Sequence, residues 1–155
     1  MLRIDQVDLD ELADALADQN AYDVQHLIDP ATGQLDLWSN EIGAEEGEDE
    51  PPAHLRVIEP ISSHEWFQDM ADFAAGLSDE RYRTRLERAL DGRKPFRHFR
   101  DAVHDGLPER HLTAWNEFRN ARRLRRAVAW LADEGLVPQD DADRFAAAHP
   151  DPEVP

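Results

Sequence analysis

The spacing of apolar residues changes character twice along this chain. From Asp8 to Asp18, Leu9, Leu12, Ala13 and Leu16 recur at helical spacing, and Asp8 can accept from the free N–H groups of the first turn. Ala21–Ile28 and Leu35–Ser39 are strand-like instead, with Tyr22, Val24 and Ile28 on one face and His26 between them. They flank Asp29-Pro30-Ala31-Thr32-Gly33-Gln34. Pro30 presets φ and Gly33 accepts positive φ, so this segment predicts the turn of a β-hairpin. Leu55–Glu59 reads as a third short strand, ended by Pro60.

From Ser62 onward the pattern is helical. Ser62 with Glu65 three residues later forms a capping box, followed by a buried stripe of Trp66, Met70, Phe73 and Leu77. Gly76 closes that helix and Ser78 is expected to cap the next, in which Tyr82, Leu86, Ala89 and Leu90 face inward. Gly92 ends it, and Pro95 suits the first turn of a third helix with Phe96, Phe99 and Val103 as its inward stripe. A long helix is predicted from Leu112 to Glu134, stopped by Gly135 and Pro138, and a short last one from Asp140 to Ala148.

The fold class is therefore α+β: a small three-stranded antiparallel sheet, the N-terminal hairpin plus one strand, packed against a C-terminal bundle of four to five helices. Residues 1–148 are expected to form one domain. Within it, 40–53 is an acidic loop whose Glu45–Glu50 run cannot bury apolar surface, and residues 149–155 form a proline-rich tail expected to be disordered. A chain of 155 residues suits one domain with a moderate core. No apolar run approaches the length of a bilayer span, no leader pattern opens the chain, and cysteine is absent, so a cytoplasmic protein without disulfides or thiolate chemistry is expected.

Charge divides the chain. The net charge is −17. Residues 1–80 carry two basic and twenty-one acidic side chains, residues 81–126 carry fourteen and six, and residues 127–155 carry one and seven. A field of this sign opposes long-range steering towards nucleic acid or anionic lipid, except around the basic middle segment.

An ordered set of short motifs carries a resemblance. The set comprises the Asp-Pro-Ala-Thr-Gly turn, Met70-Ala71-Asp72-Phe73, Leu86 to Gly92, Pro95-Phe96-Arg97-His98-Phe99-Arg100-Asp101, Trp115-Asn116-Glu117-Phe118-Arg119 and Trp130-Leu131. In this order the chain resembles a bacterial uncharacterised protein family of the UPF series, from about Tyr22 to Leu136. The resemblance implies the order of elements. It implies no activity and no catalytic residues.

The candidate chemistry is concentrated on the long helix. At about 100° per residue, Trp115, Arg119, Arg122, Arg123, Arg126 and Trp130 fall within about 100° of one another. Arg97 and Arg100 on the preceding helix could extend this face. Guanidinium groups stack on indoles and fork onto phosphate or carboxylate, which suits an anionic ligand, single-stranded nucleic acid or an acidic partner. The competing reading makes the Trp rings core, covered by Arg stems whose heads pair with the chain's own carboxylates. The same helix is apolar on a second side, at Leu124, Val128 and Leu131, so it is either sandwiched, bent near Asn120 or used in a homodimer.

Other constellations are weaker. Glu65, Asp69 and Asp72 make a carboxylate stripe that could hold a divalent cation or pair with Arg81, Arg85 and Arg88. The seven histidines (His26, His54, His64, His98, His104, His111 and His149) show no zinc-binding spacing, and His98 with Asp101 is a one-turn pair of a kind common by chance. No catalytic residue, cofactor or metal ligand is therefore assigned. The expected function is a non-enzymatic binding or regulatory module. The alternatives are nucleic-acid or anionic-ligand binding through the basic–aromatic face, and a hydrolase whose site follows no familiar motif. The partner is left open: a protein partner or a homodimer is possible, nucleic acid is possible but not favoured, and no membrane association is expected.

Overall fold

The computed structural model describes residues 1–19, 24–39 and 51–155. Six α-helices and three strands are found among the described residues. They are α1 (Leu9–Ala17), β1 (Val24–Ile28), β2 (Leu35–Ser39), β3 (Arg56–Ile58), α2 (Ser63–Gly76), α3 (Glu80–Asp91), α4 (Pro95–Gly106), α5 (Glu109–Asp133) and α6 (Gln139–Ala148). The fold is α+β. The Ala21–Asp23 start of the expected first strand, and the acidic loop as far as Glu50, lie outside the described residues.

The chain forms two compact units: Met1–Ile61 with Leu124–Ala148, and Ser62–Arg123 with His149–Pro155. The first holds the sheet, ordered β2-β1-β3 and antiparallel throughout, with His26 opposite Leu37 on one side and Ile58 on the other. The hairpin turn follows its sequence chemistry. The Gly33 N–H donates to the Asp29 carbonyl at 2.8 Å, and the Ala31 N–H donates to Asp29 Oδ1 at 2.9 Å. Gly33 has φ +80°, and a Cβ there would meet the Gln6 carbonyl oxygen at 2.9 Å, so both the turn and a close approach demand glycine. Leu12, Leu16, Leu27, Ile28, Val128, Leu131 and Val137 are buried in this unit. The Leu2 N–H donates to the Leu136 carbonyl, and the Ile61 N–H to that of Leu16.

The second unit is helical. Its core is Met70, Phe73, Leu77, Leu86, Phe99, Val103, Trp115 and Phe118. Trp115 is its aromatic centre, 5.3 Å from Phe73 and 4.9 Å from Phe99 between ring centroids. Ser62 caps α2 by accepting from the His64 N–H. Asp79, not Ser78, caps α3, its carboxylate accepting from the Arg81 N–H. The amide of Ser78 is used elsewhere, donating to the Pro155 carbonyl at 3.0 Å.

Two further differences from the sequence reading have physical causes. α5 begins at Glu109, directly after Pro108, whose carbonyl accepts from the His111 N–H. It runs unbroken past Asn120, with Trp115 and Phe118 buried in the second unit and Ala127, Val128 and Leu131 buried in the first. The proline-rich tail, expected to be disordered, makes contacts with the second unit. Val154 packs on the second unit's core against Gly76, and Asp151 is ion-paired.

Candidate functional site

Arg122 meets three carboxylates of the second unit. Its Nη1 donates to Asp72 at 2.6 Å and reaches Asp69 at 3.4 Å. Its Nε and Nη2 fork onto the Asp151 carboxylate at 3.2 and 2.9 Å. The guanidinium lies 4.5 Å from the centroid of the Phe118 ring. Burial alone would lower its pKa, but the hydrogen bonds and charges of Asp151 and Asp72 reverse this and hold it above the ordinary arginine value. Asp72 shows the complement. Burial pushes its pKa up, and hydrogen bonds from Arg122 and Gln68 pull it below the ordinary carboxylate value. Asp69 and Asp72 of the carboxylate stripe thus meet Arg122, rather than the Arg81, Arg85 and Arg88 expected from sequence.

The remaining predicted residues divide. Trp115 is 9% exposed and belongs to the core. Arg123 and Arg126 are half-buried and have interactions within the chain, one of them the Arg123 hydrogen bond to Asn120 Oδ1. Arg126 and Trp130 fall in the first unit, whereas Arg97, Arg100 and Arg119 are exposed in the second. Arg100 lies 3.8 Å from Asp101. Among the described residues, the side chains of Arg97 and Arg119 make no ion pair or hydrogen bond.

The surface where exposed cations meet an aromatic ring lies at the start of α4. Phe96, expected to face inward with Phe99 and Val103, is 45% exposed and leans edge-on against Phe67 with 6.5 Å between ring centroids. Around α4 Phe96, Arg100 and Arg97 lie at about 0°, 40° and 100°. Arg93 and Lys94 precede the helix, exposed and without side-chain partners among the described residues. Lys94 takes φ 52°, the one positive φ outside glycine among the described residues, and offers the helix no side-chain cap. A non-glycine residue in that region is unusual and turns the chain sharply into α4. By contrast Arg81 is held by Asp79, Arg83 by the Leu77 carbonyl and Arg85 by the Gly106 carbonyl. Residues 81–100 hold eight basic and two acidic side chains. The signal missed in the sequence is that Phe96 sits at the edge of its stripe, between two pairs of cations.

The first unit has a cavity of about 250 Å³ between α1 and the sheet. Ala15, Leu27, Leu35, Leu37 and Ile58 give it an apolar lining, and Glu11, Asp14, Asp18 and Asp36 give it carboxylates. His26 Nε2 lies 2.9 Å from Asp18 Oδ2 inside it. A His–Asp pair can move a proton, but among the described residues the lining supplies no hydroxyl or thiol for it to activate. His98 and Asp101, the pair considered from sequence, are both exposed on α4. Among the described residues, no group of three or more His, Asp or Glu side chains is placed to hold a metal ion, and no helix is long and apolar enough to cross a membrane.

Comparison with known proteins gives two matches. The model of an uncharacterised protein family, UPF0158, matches residues 3–148. A UPF0158 protein of Pseudomonas aeruginosa is 30% identical over 135 residues, covering 85% of each chain. No solved structure matches the chain.

Proposed function

We propose a function for a chain that belongs to the uncharacterised protein family UPF0158: it is a non-enzymatic, cytoplasmic binding module that takes an acidic partner segment on the Phe96 surface of α4. The observation that carries this reading is the contrast among its cations. Arg81, Arg83, Arg85 and Arg122 are spent on carboxylates and carbonyls of their own unit, whereas the exposed Arg93, Lys94 and Arg97, which flank the exposed Phe96 along the chain, have no such partners among the described residues. Solvated cations around one apolar anchor suit a carboxylate-rich peptide carrying one apolar side chain, the ring giving contact area and the charges giving orientation.

A second reading, single-stranded nucleic acid, has the same cations and the aromatic ring in its favour. Two facts weigh against it. Phe96 is a single platform, where successive bases need several, and the whole chain carries −17.

The test titrates an Asp/Glu-rich ten-residue peptide with a central Leu, and separately an oligothymidylate of similar length, followed by amide chemical shifts. The peptide is expected to shift Arg93–Arg100 and to lose affinity as salt rises. Phe96→Ala combined with Arg97→Glu abolishes this without unfolding the chain. Tighter binding of the oligonucleotide would favour the second reading. Shifts confined to other residues, or an unaffected double variant, would remove the α4 surface from consideration.

A further inference from the structure

Residues 149–155 have no helix or strand, yet three side-chain and backbone groups fix them on the second unit. Asp151 is forked by Arg122, Val154 fills the space that Gly76 leaves by lacking a side chain, and the Pro155 carbonyl accepts from the Ser78 N–H. A Cβ on Gly76 would come within 3.3 Å of Val154, so the slot is matched to its occupant. These contacts form a short groove between the end of α2 and the middle of α5. It has a charged fork, an apolar slot and a backbone donor, the parts from which peptide-recognition sites are built.

The carboxylates that meet Arg122 differ in how firmly the fold holds them. Arg122 already meets Asp72 at 2.6 Å and Asp69 at 3.4 Å before Asp151 adds a third carboxylate. The Asp69 side chain is 3% exposed and fixed within α2, whereas Asp151 sits on the segment with no secondary structure. The tail is therefore the exchangeable member.

We propose that this groove is a peptide-docking site which the chain's own residues 149–155 fill at rest, and that its partner in trans is the same segment of a second copy. At low protein concentration the tethered segment wins, because its effective concentration is on the order of millimolar. Exchange then joins two chains through reciprocal tails.

Two full-length variants test it by complementation. Val154→Asp spoils the tail but leaves the groove open. Gly76→Val blocks the groove but leaves the tail free. Each alone is expected to sediment as a monomer at high micromolar concentration, and the mixture to form a one-to-one pair, doubling the weight-average mass. Adding Asp151→Asn to the Gly76→Val chain should weaken that pair about tenfold, by loss of the charged fork. No association in the mixture while both variants remain folded overturns the proposal, as does self-association of Val154→Asp alone. If the two substitutions unfold the chain, Val154→Ala and Gly76→Ala carry the same test. Unfolding by these as well overturns it, because the tail would then be core and not a docked ligand.

Discussion

Replacing Arg122 with methionine keeps most of the stem that lies along Phe118 and removes the charge. The loss concentrates on Asp69. Its carboxylate is 3% exposed and would lose the guanidinium 3.4 Å away, while the Arg122 side chain itself is 18% exposed. Removing one partner of a fully buried ion pair costs about 3–5 kcal/mol. Asp72 and Asp151 are more open to water, and solvent takes over part of what Arg122 supplied to them. A loss of about 3 kcal/mol is expected, a fall in melting temperature of about 6–12 °C for a chain of this size. Asp151→Asn, which removes only the outer carboxylate, should cost about 1 kcal/mol or less. Urea unfolding followed by circular dichroism and tryptophan fluorescence measures both. The reasoning fails if Arg122→Met costs under about 1 kcal/mol, or if Asp151→Asn costs as much as Arg122→Met.

Two more substitutions probe separate features. Gly33→Ala places a methyl group at φ +80°, 2.9 Å from the Gln6 carbonyl oxygen, and should lower stability by about 2 kcal/mol with an unchanged urea slope; a loss below about 0.5 kcal/mol would mean the turn relaxes freely. His111 is 2% exposed, packs edge-on at 5.0 Å from Tyr82, and its Nδ1 has no hydrogen bond among the described residues. Burial, then the charge of Arg110, lower its pKa against a smaller opposing effect of Asp79. The unfolded chain therefore takes up this proton first as pH falls. The contribution is fully present above about pH 6.5 and is lost as pH drops through the lower folded value. His111→Leu should stabilise by about 1 kcal/mol at pH 7.5, and its advantage should widen towards pH 5; parallel stability curves for the two proteins would contradict this.

What the sequence revealed depended on the distance over which each feature is decided. The hairpin was legible because Asp29, Pro30 and Gly33 settle the turn among themselves, within five residues. The helices from Ser62 onward were legible for the same reason, through local caps and stripes. Arg122 was recognised as chemically notable but not as a structural hub, since Asp72 lies fifty residues before it and Asp151 twenty-nine after it. Phe96 was assigned inward because it continues the Phe99–Val103 spacing, and only packing shows that the core closes one residue short of it. Composition alone made the tail look loose. A glycine at position 76 cannot announce that it is leaving room for Val154.

The two sides of α5 also set the order in which this protein becomes whole on the ribosome. Residues 62–123 leave the exit tunnel as one stretch that already includes every helical segment of the second unit. The first 61 residues emerge earlier, yet the unit they belong to stays incomplete until Leu124–Ala148 follows. During that interval the first unit lacks Val128, Leu131 and Val137, which are buried in it once it is complete. Sixteen acidic and two basic side chains occupy those 61 residues. Mutual repulsion between neighbouring nascent chains is then a safeguard during synthesis, and acidity in this half of the molecule has a use before the fold exists.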